Sequence, residues 1–113
     1  MQKRERDVER ALADRARELG GIAYKLTSPG NAGVPDRIVL LPYGIIYFVE
    51  LKTEIGRLSP VQIAQQDRIR NLGCRVETVY GMGDVERLAR EMSRRIEAAR
   101  AEMINRSLER RMP

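Results

Sequence analysis

Three residues carry the chemistry that this sequence can do. Asp36 follows Pro35 at the head of the apolar run DRIVLL, and Glu50 and Lys52 close a second apolar run, IIYFVELK. Side chains two apart on a strand share a face, so the carboxylate and the ammonium emerge together beyond Ile46 and Phe48. The short turn Pro42-Tyr43-Gly44 between the runs predicts an antiparallel hairpin, in which the start of one strand lies beside the end of the other. Asp36 and Glu50 then meet at one end of a sheet. Two carboxylates and a nearby backbone carbonyl, that of Leu51, would form an oxygen-donor site for Mg²⁺ or Mn²⁺. A cation held there polarises a phosphate and helps to generate hydroxide, while Lys52 orients the water and offsets transition-state charge. Taken singly, each residue has a plainer reading, as half of an ion pair at a strand end or, for Asp36, as a turn residue after Pro35.

The elements that must position this trio are legible in the periodicity. A helix is predicted from about Lys3 to Leu19, with Val8, Ala11, Leu12, Ala16 and Leu19 forming one apolar stripe that Gly20-Gly21 ends. Ile22 to Leu26 alternates as a short strand, and TSPGNAGVP is a loop marked by Pro29, Gly30, Gly33 and Pro35. Strands follow at Asp36–Leu41 and Ile45–Lys52, the latter apolar on both faces until Glu50, as expected for a strand in a covered sheet. Ser59-Pro60 reads as an N-cap with proline at the first helical position, opening a helix to about Leu72 that Gly73 closes. CRVETVY supplies a fourth strand, and Gly81 to Gly83 lead into a long last helix. The order αβββαβα places the chain in the mixed α/β class, with helices covering a small sheet.

Composition bounds the function. A chain of 113 residues with 42% hydrophobic content supports one small domain. The expected division is a core over 1–83 and a C-terminal helix over 84–113. A net charge of +5, carried largely by arginine, is compatible with phosphate contact. Histidine is absent, which excludes imidazole bases and histidine-metal sites. The single cysteine, Cys74, excludes an intrachain disulfide and is expected to pack rather than react. No apolar run approaches membrane-spanning length and MQKRERDVER is not signal-like, so no membrane is expected and a cytoplasmic location is, in a bacterium or a phage-infected cell.

The trio sits inside a longer resemblance. GVPD at 33–36 followed by ELK at 50–52 matches the PD-(D/E)xK nuclease signature. The run from GGIAYKLTSPGNAGVPDRIVLLPYG through FVELKTEIGRLSPVQ resembles the VRR-Nuc branch of that superfamily, found as stand-alone domains in phages and bacteria and in the Fanconi-associated nuclease of eukaryotes. It covers roughly Glu5 to Leu88. The resemblance implies a restriction-endonuclease-like αβββαβ core with a central mixed sheet, in agreement with the element order. It implies Asp36 and Glu50 as metal ligands and Lys52 as the catalytic lysine. It also implies a first-helix glutamate as an accessory metal ligand or metal-shell acid, best matched by Glu9, with Glu5 one turn earlier on the same face as the other candidate. Gln62 matches a family glutamine that would position substrate or a metal-bound water. Lys25, Ser28 and Arg37 are candidates for DNA contact, and Gly30 for close backbone approach to phosphate.

The expected activity is metal-dependent hydrolysis of DNA phosphodiesters, selective for branched DNA such as Holliday junctions and carried out by a homodimer. A flap or nicking endonuclease, or a DNA-binding module without catalysis, are the alternatives. In the last helix Val85, Ala89, Met92, Ile96, Ala99 and Met103 recur at steps of four and three, the spacing of a coiled-coil seam, which makes this helix the candidate dimer contact.

Overall fold

A computed structural model describes residues 4–112. The elements are α1 (Glu5–Glu18), β1 (Ile22–Lys25), β2 (Arg37–Leu41), a single 3-10 turn (Pro42–Gly44), β3 (Ile45–Lys52), α2 (Pro60–Asn71), β4 (Arg75–Tyr80) and α3 (Gly81–Arg110). The order matches that expected from the sequence. The expected start of α1 at Lys3 lies outside the described residues.

One four-stranded sheet in the order β1-β2-β3-β4 forms the centre. The first three strands are antiparallel, as short connections require, and β4 joins β3 in parallel after the α2 crossover. The β2–β3 turn is tight because Tyr43 and Gly44 both adopt positive φ, at 65° and 73°.

Alternation along the strands sorts the side chains. Val39, Leu41, Ile45, Tyr47, Val49 and Leu51 face α1 and α3, where they pack with Val8, Leu12, Ala16, Val85, Leu88, Met92 and Ile96 into one core. The opposite face carries α2, tied to β4 by a hydrogen bond from Gln66 Nε2 to Thr78 Oγ1 at 2.8 Å. With only 12 residues, α2 leaves part of this face open. The expectation that β3 is covered on both faces therefore holds from Val49 to Leu51 and fails at Ile46, which is 41% exposed.

The C-terminal helix belongs to the core for half its length. Over 30 residues it extends about 45 Å at 1.5 Å per residue, which gives the molecule its 57 Å long axis. Its buried residues run to Ile96, so the core continues past the division expected at residue 84, and only the stretch beyond Ala99 stands free of it. Cys74, expected to pack, is exposed: Gly73 turns the chain at φ +88° and β4 begins one residue later. Among the described residues no helix is long and apolar enough to cross a membrane.

Candidate active site

Asp36 and Glu50 come together by strand register. Arg37 pairs with Val49, so the preceding residue of β2 lies beside the following residue of β3. Asp36 is fixed from two directions: its carbonyl accepts from Leu26 N–H at 2.8 Å, and its Oδ1 accepts from Leu51 N–H at 3.3 Å. The loop that delivers it is packed onto the first turn of α2. Gly33, at φ +83°, lies so close to Val61 that a Cβ would meet the Val61 carbonyl at 2.7 Å, and Gln65 Nε2 donates to Ala32 O at 3.2 Å.

Glu50 is 5% exposed and has two polar neighbours besides Asp36. Lys52 Nζ lies 3.9 Å from its Oε2, and Gln62 Nε2 donates to the same oxygen at 3.3 Å. Gln62 is held in that position by the helix it opens. Ser59 Oγ accepts from Gln62 N–H at 3.2 Å, and Gln62 Oε1 accepts from Ser59 N–H at 2.9 Å, a reciprocal cap. The capping box thus uses the glutamine's oxygen and leaves its amide hydrogens aimed at Glu50.

The electrostatics are those of two carboxylates whose charge is incompletely compensated. Burial pushes the Glu50 carboxyl up to about 7, and repulsion from Asp36 adds to it, with Lys52 opposing. Burial raises Asp36 as well, against the lowering influence of Arg37 and of the Leu51 N–H. Two carboxylates share one end of the sheet with too little positive charge beside them. Among the described residues no three His, Cys, Asp or Glu side chains converge as a metal cage. The donor set suits an ion such as Mg²⁺, which binds through one or two carboxylates and keeps several waters.

Comparison with known proteins agrees with this geometry. The VRR-NUC domain family model matches residues 5–83. The chain belongs to the VRR-NUC family. It is 47% identical over 73 residues to "Putative nuclease p44" of Acyrthosiphon pisum secondary endosymbiont phage 1, covering 65% of this chain and 78% of that protein. A solved structure described as a VRR_NUC domain superposes with a TM-score of 0.71 at 36% identity, covering 74% of this chain and 91% of that one. The restriction-endonuclease-like mixed sheet is therefore shown both by the strand order and by this match.

Within this VRR-NUC fold the remaining expected residues are placed unevenly. Glu9 does not face the carboxylate pair freely: its Oε2 lies 2.6 Å from Arg37 Nη2. It is Glu5 whose charge is felt at both Asp36 and Glu50. Arg37, expected to contact DNA, is 6% exposed and committed inward to Glu9 and to the Asp36 carbonyl. Ser28 Oγ accepts from Asn31 Nδ2 at 3.0 Å within the loop. Lys25 is exposed at the end of β1, and Gly30 has open space around it at φ +80°. The other two glutamines of α2 have separate partners, Gln65 on the loop and Gln66 on Thr78.

Proposed function

We propose that this chain is a divalent-metal-dependent endodeoxyribonuclease of the PD-(D/E)xK type. The observation that carries the reading is the Asp36–Glu50 pair, one part-buried and one buried carboxylate at the same end of the sheet, both raised in pKa, with Lys52 and Gln62 on Glu50. Mg²⁺ or Mn²⁺ bound there would polarise the scissile phosphate and make its own water acidic enough to attack at neutral pH. Asp36 and Glu50 would hold the cation, with the Leu51 carbonyl available as a third donor and Glu5, in preference to Glu9, contributing charge from α1. Lys52 orients the attacking water and neutralises charge that develops on the phosphate oxygens. Gln62 fixes the rotamer of Glu50 through its amide.

The substrate we favour is branched DNA such as a Holliday junction, cut by a homodimer whose two sites act on opposing strands. Support for a dimer comes from α3, where Met103, Ile104 and Leu108 are exposed beyond the last core residue. The seam expected from Val85 to Met103 is used internally through Ile96, so the free contact is the stretch after Ala99.

Cleavage of four-way, flap and linear DNA with Mg²⁺ or Mn²⁺ tests the reading. Four-way junctions are expected to be cut fastest. No cleavage of any substrate with either metal would sink the nuclease proposal, and cutting confined to flaps would sink junction resolution. Light scattering on a chain ending at Ala99, which retains Met92 and Ile96, tests the contact: a persisting dimer excludes the free end of α3.

A further inference from the structure

Arg37 is a buried cation whose nearer contact with the neighbouring Asp36 is to its backbone carbonyl rather than to its carboxylate. It opens β2 between Lys25 and Val49, and strand alternation turns it to the α1 side of the sheet, opposite to Glu50. Its side chain is 7% exposed. Nη2 lies 2.6 Å from Glu9 Oε2, Nη1 donates to the Asp36 carbonyl at 2.7 Å, and Nη1 lies 3.8 Å from Asp36 Oδ1. Nε is buried and finds no partner among the described residues.

Stability alone would not select this arrangement. Apolar side chains of similar volume in place of a buried ion pair are often neutral or stabilising, and an unsatisfied buried N–H is a cost in itself. What the bridge accomplishes is geometric. One end holds the backbone of the residue that carries the Asp36 carboxylate. The other end holds α1 one helical turn from Glu5 and on the same face. The other anchors of α1 are the apolar Val8, Leu12 and Ala16, which permit small rotations of the helix, and a half-exposed ion pair from Arg15 to Glu86 of α3, which lies further along the helix from Glu5 than Glu9 does. Charge-assisted hydrogen bonds from the rigid Arg37 guanidinium, one turn from Glu5, do not permit such rotations.

We infer that Arg37 is a positioning residue: by tying Glu9 to the Asp36 backbone it fixes Glu5 relative to Asp36, and so strengthens divalent-cation binding at the site. The inference rests on the reading of Asp36 and Glu50 as cation ligands, and the test separates the two. Mn²⁺ binding to the full chain is measured without DNA, by paramagnetic resonance of the free ion, alongside thermal unfolding. Arg37→Met/Glu9→Met keeps the volume and removes both charges. Its Tm is expected to stay within about 5 °C of the wild type, since the pair contributes little net stability, while its Mn²⁺ affinity falls about tenfold, equivalent to about 1.4 kcal/mol. Glu5→Gln is expected to weaken Mn²⁺ binding about tenfold in the wild type and less than about threefold in the double variant, where Glu5 is no longer held in place. An equal effect of Glu5→Gln in both backgrounds, or unchanged Mn²⁺ affinity in the double variant, overturns the positioning role with the cation site intact. Mn²⁺ binding that is absent from the wild type, or indifferent to Asp36→Asn, overturns the cation site and this inference with it. Should the double variant not fold, Glu9→Gln at its half-exposed position is the substitute, and unchanged Mn²⁺ affinity there overturns the inference as well.

Discussion

Replacing Glu50 with glutamine is expected to stabilise the metal-free protein at pH 8 and to leave it nearly unchanged at pH 4. In the unfolded chain Glu50 loses its proton near the ordinary value of 4.5, whereas in the folded chain burial and the repulsion of Asp36 hold the proton up to about 7. Between those values the folded state binds more protons than the unfolded state, so stability falls as pH rises. Below 4.5 both states are protonated and Glu50 costs nothing. Above 7 both are ionised and the full cost stands. Two and a half units at about 1.4 kcal/mol each give an upper bound, and solvent relaxation around the ion reduces it to about 2–3 kcal/mol. Glutamine keeps the shape and can still accept from Gln62 Nε2 without the charge. Urea unfolding at pH 4, 6 and 8 in the presence of a chelator reads the difference directly. The gap between variant and wild type should open between pH 4.5 and 7 and stay constant above. Parallel curves, or a variant less stable than the wild type at pH 8, would refute the account of Glu50 as an uncompensated buried charge. Saturating Mg²⁺ should then stabilise the wild type and not the variant, because a ligand stabilises the state that binds it.

Three further outcomes are expected. Lys52→Ala should lower kcat for DNA cleavage by about 10²-fold or more, the scale of a lost transition-state charge contact, with DNA affinity in Ca²⁺ nearly unchanged; equal cleavage would exclude Lys52. Ser59→Ala should cost about 1 kcal/mol in urea unfolding for the lost cap, and should also reduce cleavage by freeing Gln62 from its fixed orientation, whereas Ser59→Asp should retain both. Leu88→Ala should cost about 2–5 kcal/mol as a core cavity, while Met103→Ala should leave monomer stability within about 0.5 kcal/mol, as checked by thermal unfolding at concentrations where the chain is monomeric.

The elements and the pairing of Asp36 with Glu50 were legible in the sequence because both follow from short-range rules. Strand alternation, a three-residue turn and a Ser-Pro cap fix them without knowledge of the rest of the chain. What was not legible depends on how helices lie across the sheet. Glu5 and Glu9 share a face of α1, and periodicity cannot say which of them meets the strand end. In the structure Glu9 pairs with Arg37, and the charge of Glu5 adds a lesser upward push at both Asp36 and Glu50. Arg37, a candidate for DNA contact in the sequence, is instead buried where it opens β2 beside Val49. The heptad-like spacing of α3 is real, but a seam of this kind fits the inside of a domain as well as a partner chain, and Met92 and Ile96 went to the core shared with α1 and the sheet.

The short motifs of the chain are best understood as one arrangement. Gly33 lets the loop before Asp36 lie against Val61, and Val61 stands between the capping serine and the glutamine that reaches Glu50. The loop, the cap and the end of β3 therefore share one small volume, and together they fix the two carboxylates. Asp36 is held through Leu51 N–H and the loop, and Glu50 through Gln62 and Lys52. Neither carboxylate is given enough positive charge to be satisfied. A tighter ion pair at Glu50 would stabilise the fold and would also lower its affinity for a divalent ion. The raised pKa values of Asp36 and Glu50 and the expected gain in stability from Glu50→Gln are thus two measures of the same quantity, the uncompensated charge of the pair, which the proposed cation would neutralise.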